Sequence, residues 1–121
     1  MNNNIVSRIA SIIFALAMVP FGINHLTKAP AIAGYVPIPG GIFWVYLTGA
    51  GFILAAIAII INVMPRLAGY LLGAMLLTIA IIMHLIPFLK DTADPNMHFP
   101  QFLKDTAMAA GAIFIGAVSR K

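Results

Sequence analysis

Few side chains in this 121-residue sequence can do chemistry, and they are unevenly spread. There are three histidines (His25, His84 and His98), three aspartates (Asp91, Asp94 and Asp105), no glutamate and no cysteine. The lack of cysteine excludes disulfides, thiolate metal sites and thiol catalysis. Imidazole chemistry remains: a histidine can move a proton near neutral pH, hydrogen-bond a carbonyl or ligate a metal. His84 lies among Met83, Leu85 and Ile86, and none of the five residues after it is charged. An ionisable group inside an apolar helix is a functional candidate by default. The competing structural reading is an imidazole hydrogen-bonded to a neighbouring helix, since burying it unpaired costs on the order of 1 to 3 kcal/mol. His25 follows Asn24 and stands one helical turn before Lys28, where it could equally snorkel at a helix end. His98 reads as a solvated loop residue.

The elements that must position these groups are set by composition. The chain is 62% hydrophobic and only 8% charged, with a mean hydropathy of +1.03. A soluble domain carries about a quarter charged residues, so the chain reads as a membrane protein. Four apolar runs are predicted to be spanning helices, at about 5–26, 42–63, 67–89 and 102–118, together an all-α transmembrane four-helix bundle of a single domain. At about 20 residues per span, they leave no room for a soluble catalytic domain. Ala15-Leu16-Ala17 resembles a signal-cleavage site, but the apolar stretch between Arg8 and Ala15 is only six residues, below the roughly 7 to 15 of a signal core. An uncleaved first helix is expected. Pro20 should kink it, lacking an N–H and crowding the preceding turn. The Met64-Pro65-Arg66 turn forces the second and third helices antiparallel.

Helices in lipid associate where small residues four apart allow close backbone approach. Such pairs occur on every run: Ser7 and Ser11; Gly51 and Ala55; Gly69 and Gly73; Ala107 and Gly111, then Ala112 and Gly116. The fourth run is rich in small residues and includes Lys104 and Asp105 in its expected first turn, so it should be held by partner helices. The seven cations are scattered mostly as single flanking anchors, which is not the stripe that tracks nucleic acid. Counted by side, Arg8, Arg66, Arg120 and Lys121 oppose Lys28, Lys90 and Lys104. The excess of cations on the cytoplasmic side places both termini in the cytoplasm.

With that topology, His25, His84 and His98 fall on one side, the outer one, with Asn24, Lys28, Lys90, Asp91 and Asp94. Eight of the twelve aromatics, among them Phe21, Tyr35 and Trp44, belong to the same half. The connection from Thr27 to Gly41 is broken by Pro30, Pro37 and Pro39 yet remains apolar, so it is expected to fold back over the helices. The predicted ligand pocket is Asn24, His25, Tyr35, Trp44 and His84. Trp44 and Tyr46 also fit an interfacial aromatic belt.

The segment Phe21-Gly22-Ile23-Asn24-His25-Leu26 with Lys28, the proline-containing loop, Gly49-Ala50-Gly51, and Pro65-Arg66-Leu67-Ala68-Gly69 leading to a helix that ends near His84 together resemble the DoxX-like family of small bacterial membrane proteins. The resemblance runs from about Arg8 to Gly116. It implies a four-helix protein of the bacterial inner membrane, in a family with some members that serve thiosulfate:quinone oxidoreductase or other membrane redox systems. The chain differs from the family pattern in having no acid after Gly51, where Phe52-Ile53-Leu54 stands, and in placing its lysine as late as Lys28.

Two functions compete. A noncatalytic partner or scaffold subunit of a membrane redox system would present its outer loops to a redox protein. A quinone-binding oxidoreductase subunit would offer a histidine donor to a ring carbonyl, an aromatic slot and lipid access for the tail. Quinone is therefore the candidate cofactor. A bis-histidine haem is disfavoured because His25 and His84 differ in depth by roughly 6 Å at 1.5 Å per residue. Copper on Met83, His84, Met97 and His98 is chemically allowed but has no recognised spacing. Transport lacks the paired broken helices or inverted repeats it would need. The expected partners are the lipid bilayer, a redox protein at the outer face and a second copy of the chain, with no nucleic acid.

Overall fold

The computed structural model describes residues 5–34, 36, 39–89 and 95–119, with backbone alone described at 87, 88 and 95–98. Every element among them is helical: α1 (Ile5–Thr27), α2 (Ala29–Ala33), α3 (Gly41–Ile60), α4 (Pro65–Ile79), a π-helical segment (Ala80–Leu85), α5 (Ile86–Leu89) and α6 (Pro95–Val118). Among the described residues, three stretches are long and apolar enough to cross a membrane: Ile5–Thr27, Gly41–Ile60 and Pro65–Leu85. At 1.5 Å per residue each covers about 30 Å, the thickness of the hydrocarbon layer.

Local chemistry explains the boundaries. Pro20 sits inside α1 without ending it. Part of the connection expected to be irregular is the single turn α2, which opens on Ala29 and has Pro30 in its first turn, where the missing N–H belongs to no helical bond. Ala29 is buried and α2 packs on α3, so this part of the connection folds back. Gly40 precedes α3 with a left-handed φ of 88°. A β-carbon there would also approach the Trp44 indole nitrogen to 3.2 Å, so glycine is required twice over. The turn from α3 to α4 uses Asn62 and Met64, both at positive φ, and Pro65 begins α4.

Helices α1 and α3, α3 and α4, and α4 and α6 pack side by side. The core between them is Ala15, Met18, Phe52, Ala56, Ile59, Leu72, Leu76, Ala109, Ala112 and Ile115 with their neighbours. Two of the predicted small-residue pairs, Gly69 with Gly73 and Ala112 with Gly116, mark the tightest seam. A β-carbon on Gly69 would lie 2.6 Å from the Gly116 backbone nitrogen and 2.7 Å from the Ala112 carbonyl, and one on Gly73 would strike Ile113. α4 and α6 therefore touch backbone to backbone.

Outward surfaces are apolar. Ile5, Ile9, Ile13, Leu16 and Ile23 on α1, and Leu54, Ile57, Leu71, Leu77 and Phe114 elsewhere, are all exposed, far more than a water-facing surface tolerates. Hydroxyls tell the same story. Ser11, Thr27, Thr48, Thr78 and Thr106 each donate to a carbonyl of their own helix four residues back, and Ser119, just past α6, does the same to the Ile115 carbonyl. That is how a hydroxyl is satisfied where water is absent.

The end at which α1 begins, called here the near end, is clamped by an ion. Arg8 donates from Nη1 to the Ile59 carbonyl at 2.6 Å and from Nη2 to the Ile60 carbonyl. These belong to the last turn of α3, which carries the negative end of the helix dipole; the Ile59 carbonyl also accepts from the Asn62 N–H at 3.3 Å. We expect Arg8→Met to lower stability by about 2 kcal/mol, the worth of charge-assisted hydrogen bonds of this kind, with Arg8→Lys recovering part. Thermal unfolding in detergent reads this directly.

Candidate functional site

The opposite, far end holds the polar chemistry. Along α4 the buried positions Ala68, Gly69, Leu72, Gly73 and Leu76 continue to Ala80, the 3.6-residue stripe that faces α6 and α3. At 100° per residue an α-helical continuation would set residue 84 roughly 60° off the line through Gly69. The chain does not continue that way. Pro87 has no N–H to offer the Met83 carbonyl, and the helix widens over Ala80–Leu85, where the Ile86 N–H donates to the Ile81 carbonyl five residues back. Wider winding turns fewer degrees per residue, which swings His84 back toward α6. π segments of this kind recur at functional sites.

There His84 meets Asp105. The imidazole Nε2 lies 3.4 Å from Asp105 Oδ2, with the two side chains only 18% and 9% exposed. Lys104 Nζ lies 3.8 Å from Asp105 Oδ1. Its ammonium is also 4.9 Å from the centre of the Phe21 ring on α1, a cation–π contact that is stronger away from water. Asp105 is thus a buried carboxylate between two cationic or donor groups, one from each side. No buried polar side-chain atom among the described residues lacks a partner.

His25 joins the same group through aromatic rings. Its ring lies 5.3 Å from Phe52, and Phe52 stacks on Phe21 at 6.0 Å. Its Nδ1–H donates to the Phe21 carbonyl at 2.7 Å, which fixes the tautomer of the neutral ring and leaves Nε2 as its other polar atom. The Gly49 backbone allows this approach, since a β-carbon there would lie 2.8 Å from His25 Cβ. His25 and His84 therefore sit at the same end, joined through Phe52, Phe21, Lys104 and Asp105.

Other expected members are placed differently. Asn24 is exposed on α1. Trp44 is 39% exposed, donates its indole N–H to the Pro39 carbonyl at 2.7 Å and meets Phe43 edge-on. Tyr35 lies outside the described residues, as do Lys90, Asp91 and Asp94, and the side chains of Met97 and His98 are not described. Among the described residues, no three His, Cys, Asp or Glu side chains gather as metal ligands do.

Sequence reasoning left out Asp105 and Lys104. It started the last helix near residue 102, which put both in a first turn at the membrane surface. α6 begins at Pro95, so Asp105 is well inside a helix and buried. The available signal was depth: an acid within a long apolar run needs a donor at the same level of a neighbouring helix, and His84 is the histidine at that level.

No protein family, characterised protein or solved structure is matched by this chain.

Proposed function

We propose that the chain is a four-helix transmembrane bundle of the bacterial inner membrane, DoxX-like in kind, with α6 as its fourth span and both termini cytoplasmic. We infer that it serves a membrane redox system as a small subunit that binds a quinone ring at the far end. One observation carries this reading: the His84–Asp105–Lys104 cluster set beside the Phe21 ring, with Asp105 the one buried charged side chain among the described residues. Holding helices together needs no such cluster, because the glycine seam between α4 and α6 already does so.

The residues present fit a quinone by their donor set and by the aromatic ring beside it. Lys104 is 43% exposed and has three donors, with Asp105 and the Phe21 face taking up only part of its surroundings. It is the group that would hold a ring carbonyl. Asp105 orients the His84 imidazole, the role a carboxylate plays behind a general acid. Phe21 and His25 supply flat walls. When bound, a quinone would supply two-electron, two-proton redox chemistry. The chain's own part is to seat the ring, exclude water and hold a proton at His84.

A partner-holding role is favoured by a different feature, the exposed Ile42, Phe43, Trp44 and Tyr46 at the start of α3, and it is compatible with the quinone site. Purification in mild detergent, an absorption spectrum and mass spectrometry of the lipid extract test the reading. About one quinone per chain is expected, and extracts with none, even from quinone-replete membranes, would leave only the scaffold.

A further inference from the structure

We propose that His25 is the group that tells a reduced ring from an oxidised one: its Nε2 accepts a hydrogen bond from a ring hydroxyl, so the far end binds a quinol in preference to a quinone. The proposal rests on the quinone reading and adds to it the redox state of the ligand.

The tautomer comes first. A carbonyl oxygen can only accept, so the 2.7 Å contact between Nδ1 and the Phe21 carbonyl puts the proton of the neutral ring on Nδ1 and leaves a lone pair on Nε2. No described group donates to that lone pair. No buried polar side-chain atom among the described residues is without a partner, so Nε2 reaches the surface of the bundle, where a ligand can meet it. The ring is also held still. Its β-carbon fits the notch that Gly49 leaves, and Phe52 packs against it at 5.3 Å. Its neighbours Asn24 and Leu26 are exposed, whereas His25 is turned toward α3. A histidine that only snorkels needs none of these constraints.

Lys104 and His25 then make complementary demands on a ring. Lys104 offers donors only and lies over Phe21, which precedes His25 by one helical turn, about 6 Å along α1 at 1.5 Å per residue. That is the scale of a six-membered ring with an oxygen at either end. A quinol satisfies both groups, since one hydroxyl oxygen accepts from Lys104 while the other hydroxyl donates to Nε2. A quinone satisfies Lys104 alone. Its second carbonyl would face the Nε2 lone pair, acceptor against acceptor, and a polar atom left unpaired away from water is costly. His84 cannot take this part, because its Nε2 is turned to Asp105.

The test titrates a short-chain benzoquinone and, anaerobically, the matching benzoquinol into the full-length protein in detergent. The native chain should bind the quinol about tenfold more tightly, the effect of one hydrogen bond made against one left unmade. His25→Phe keeps an aromatic ring against Phe52 but has no acceptor. It should weaken quinol binding about tenfold and leave quinone binding within about twofold, with the thermal midpoint unchanged. Nitrogen NMR of the histidine-labelled native chain in mildly alkaline buffer, with His25 assigned by its absence from the variant, should show Nδ1 protonated and Nε2 bare. The Nε2 resonance should move when benzoquinol is added, a reading on the native chain that does not depend on how the variant folds. Saturable quinone binding with no preference for the quinol, a preference that survives in His25→Phe, or a proton on Nε2 in place of Nδ1 would overturn the role of His25 and leave the quinone reading standing. No saturable binding of either form would remove both.

Discussion

Replacing His84 by leucine costs about 3 kcal/mol of stability, within the range for breaking a buried pair by removing one partner, and replacing Asp105 as well recovers most of it. The loss comes from the carboxylate that stays behind. Asp105 is 6% exposed and would keep only Lys104, at 3.8 Å and itself partly exposed. Asp105→Leu alone should cost less, because a neutral imidazole is cheaper to keep in an apolar setting than a carboxylate. The double leucine variant replaces both groups with apolar side chains, which for buried pairs is often neutral. A double-mutant cycle read by thermal unfolding should therefore give a coupling of about 3 kcal/mol. Additive losses would mean that the two side chains do not act as a pair.

Gly69→Leu should do more damage still. The first atom of any side chain at Gly69 would lie 2.6 Å from the Gly116 nitrogen, and both contacting groups are backbone, so neither can rotate away. Overpacking of this kind costs about 3 kcal/mol or more, and here the whole α4–α6 seam must part. α6 is the least apolar of the long helices, carrying Lys104 and Asp105, so under the proposal that it is the fourth span, loss of its partner helix should also impair its insertion. The expected result is a chain whose α6 becomes accessible to protease in membrane vesicles. Gly51→Ala is the contrast, because a β-carbon there meets the Met75 sulfur at 2.9 Å, the end of a flexible side chain that can move, and only a small loss is expected.

Much of this architecture can be read from residue order, because hydropathy and proline placement act locally. The runs at 5–26 and 42–63 correspond to α1 and α3 within three residues at either end. The glycines at 69 and 73, and those at 111 and 116, mark seams because a missing side chain matters wherever the backbone passes. Two features escape such reading. Pro95 and Pro100 look like breakers, yet Pro95 opens α6 and Pro100 lies within it; a proline at the first helical position disturbs nothing. Moving that start from 102 to 95 changes Asp105 from a surface acid to a buried one. The second feature is winding. The run at 67–89 reads as one helix, while the structure divides it at the π segment, and Pro87, three residues past His84, was the cue. Which side chains then meet across α1, α4 and α6 depends on packing between segments distant in sequence, which periodicity does not encode.

The most direct test of the account is the affinity of a short-chain benzoquinone, titrated into the purified protein, for the native chain and for the His84→Leu, Asp105→Leu double variant. The double variant keeps its fold and loses the polar cluster, so stability does not confound the comparison. The account predicts saturable binding of one quinone per native chain and at least a tenfold weaker affinity in the variant, a difference of about 1.4 kcal/mol. Equal affinity in the two proteins, or no saturable binding to the native chain, would contradict it.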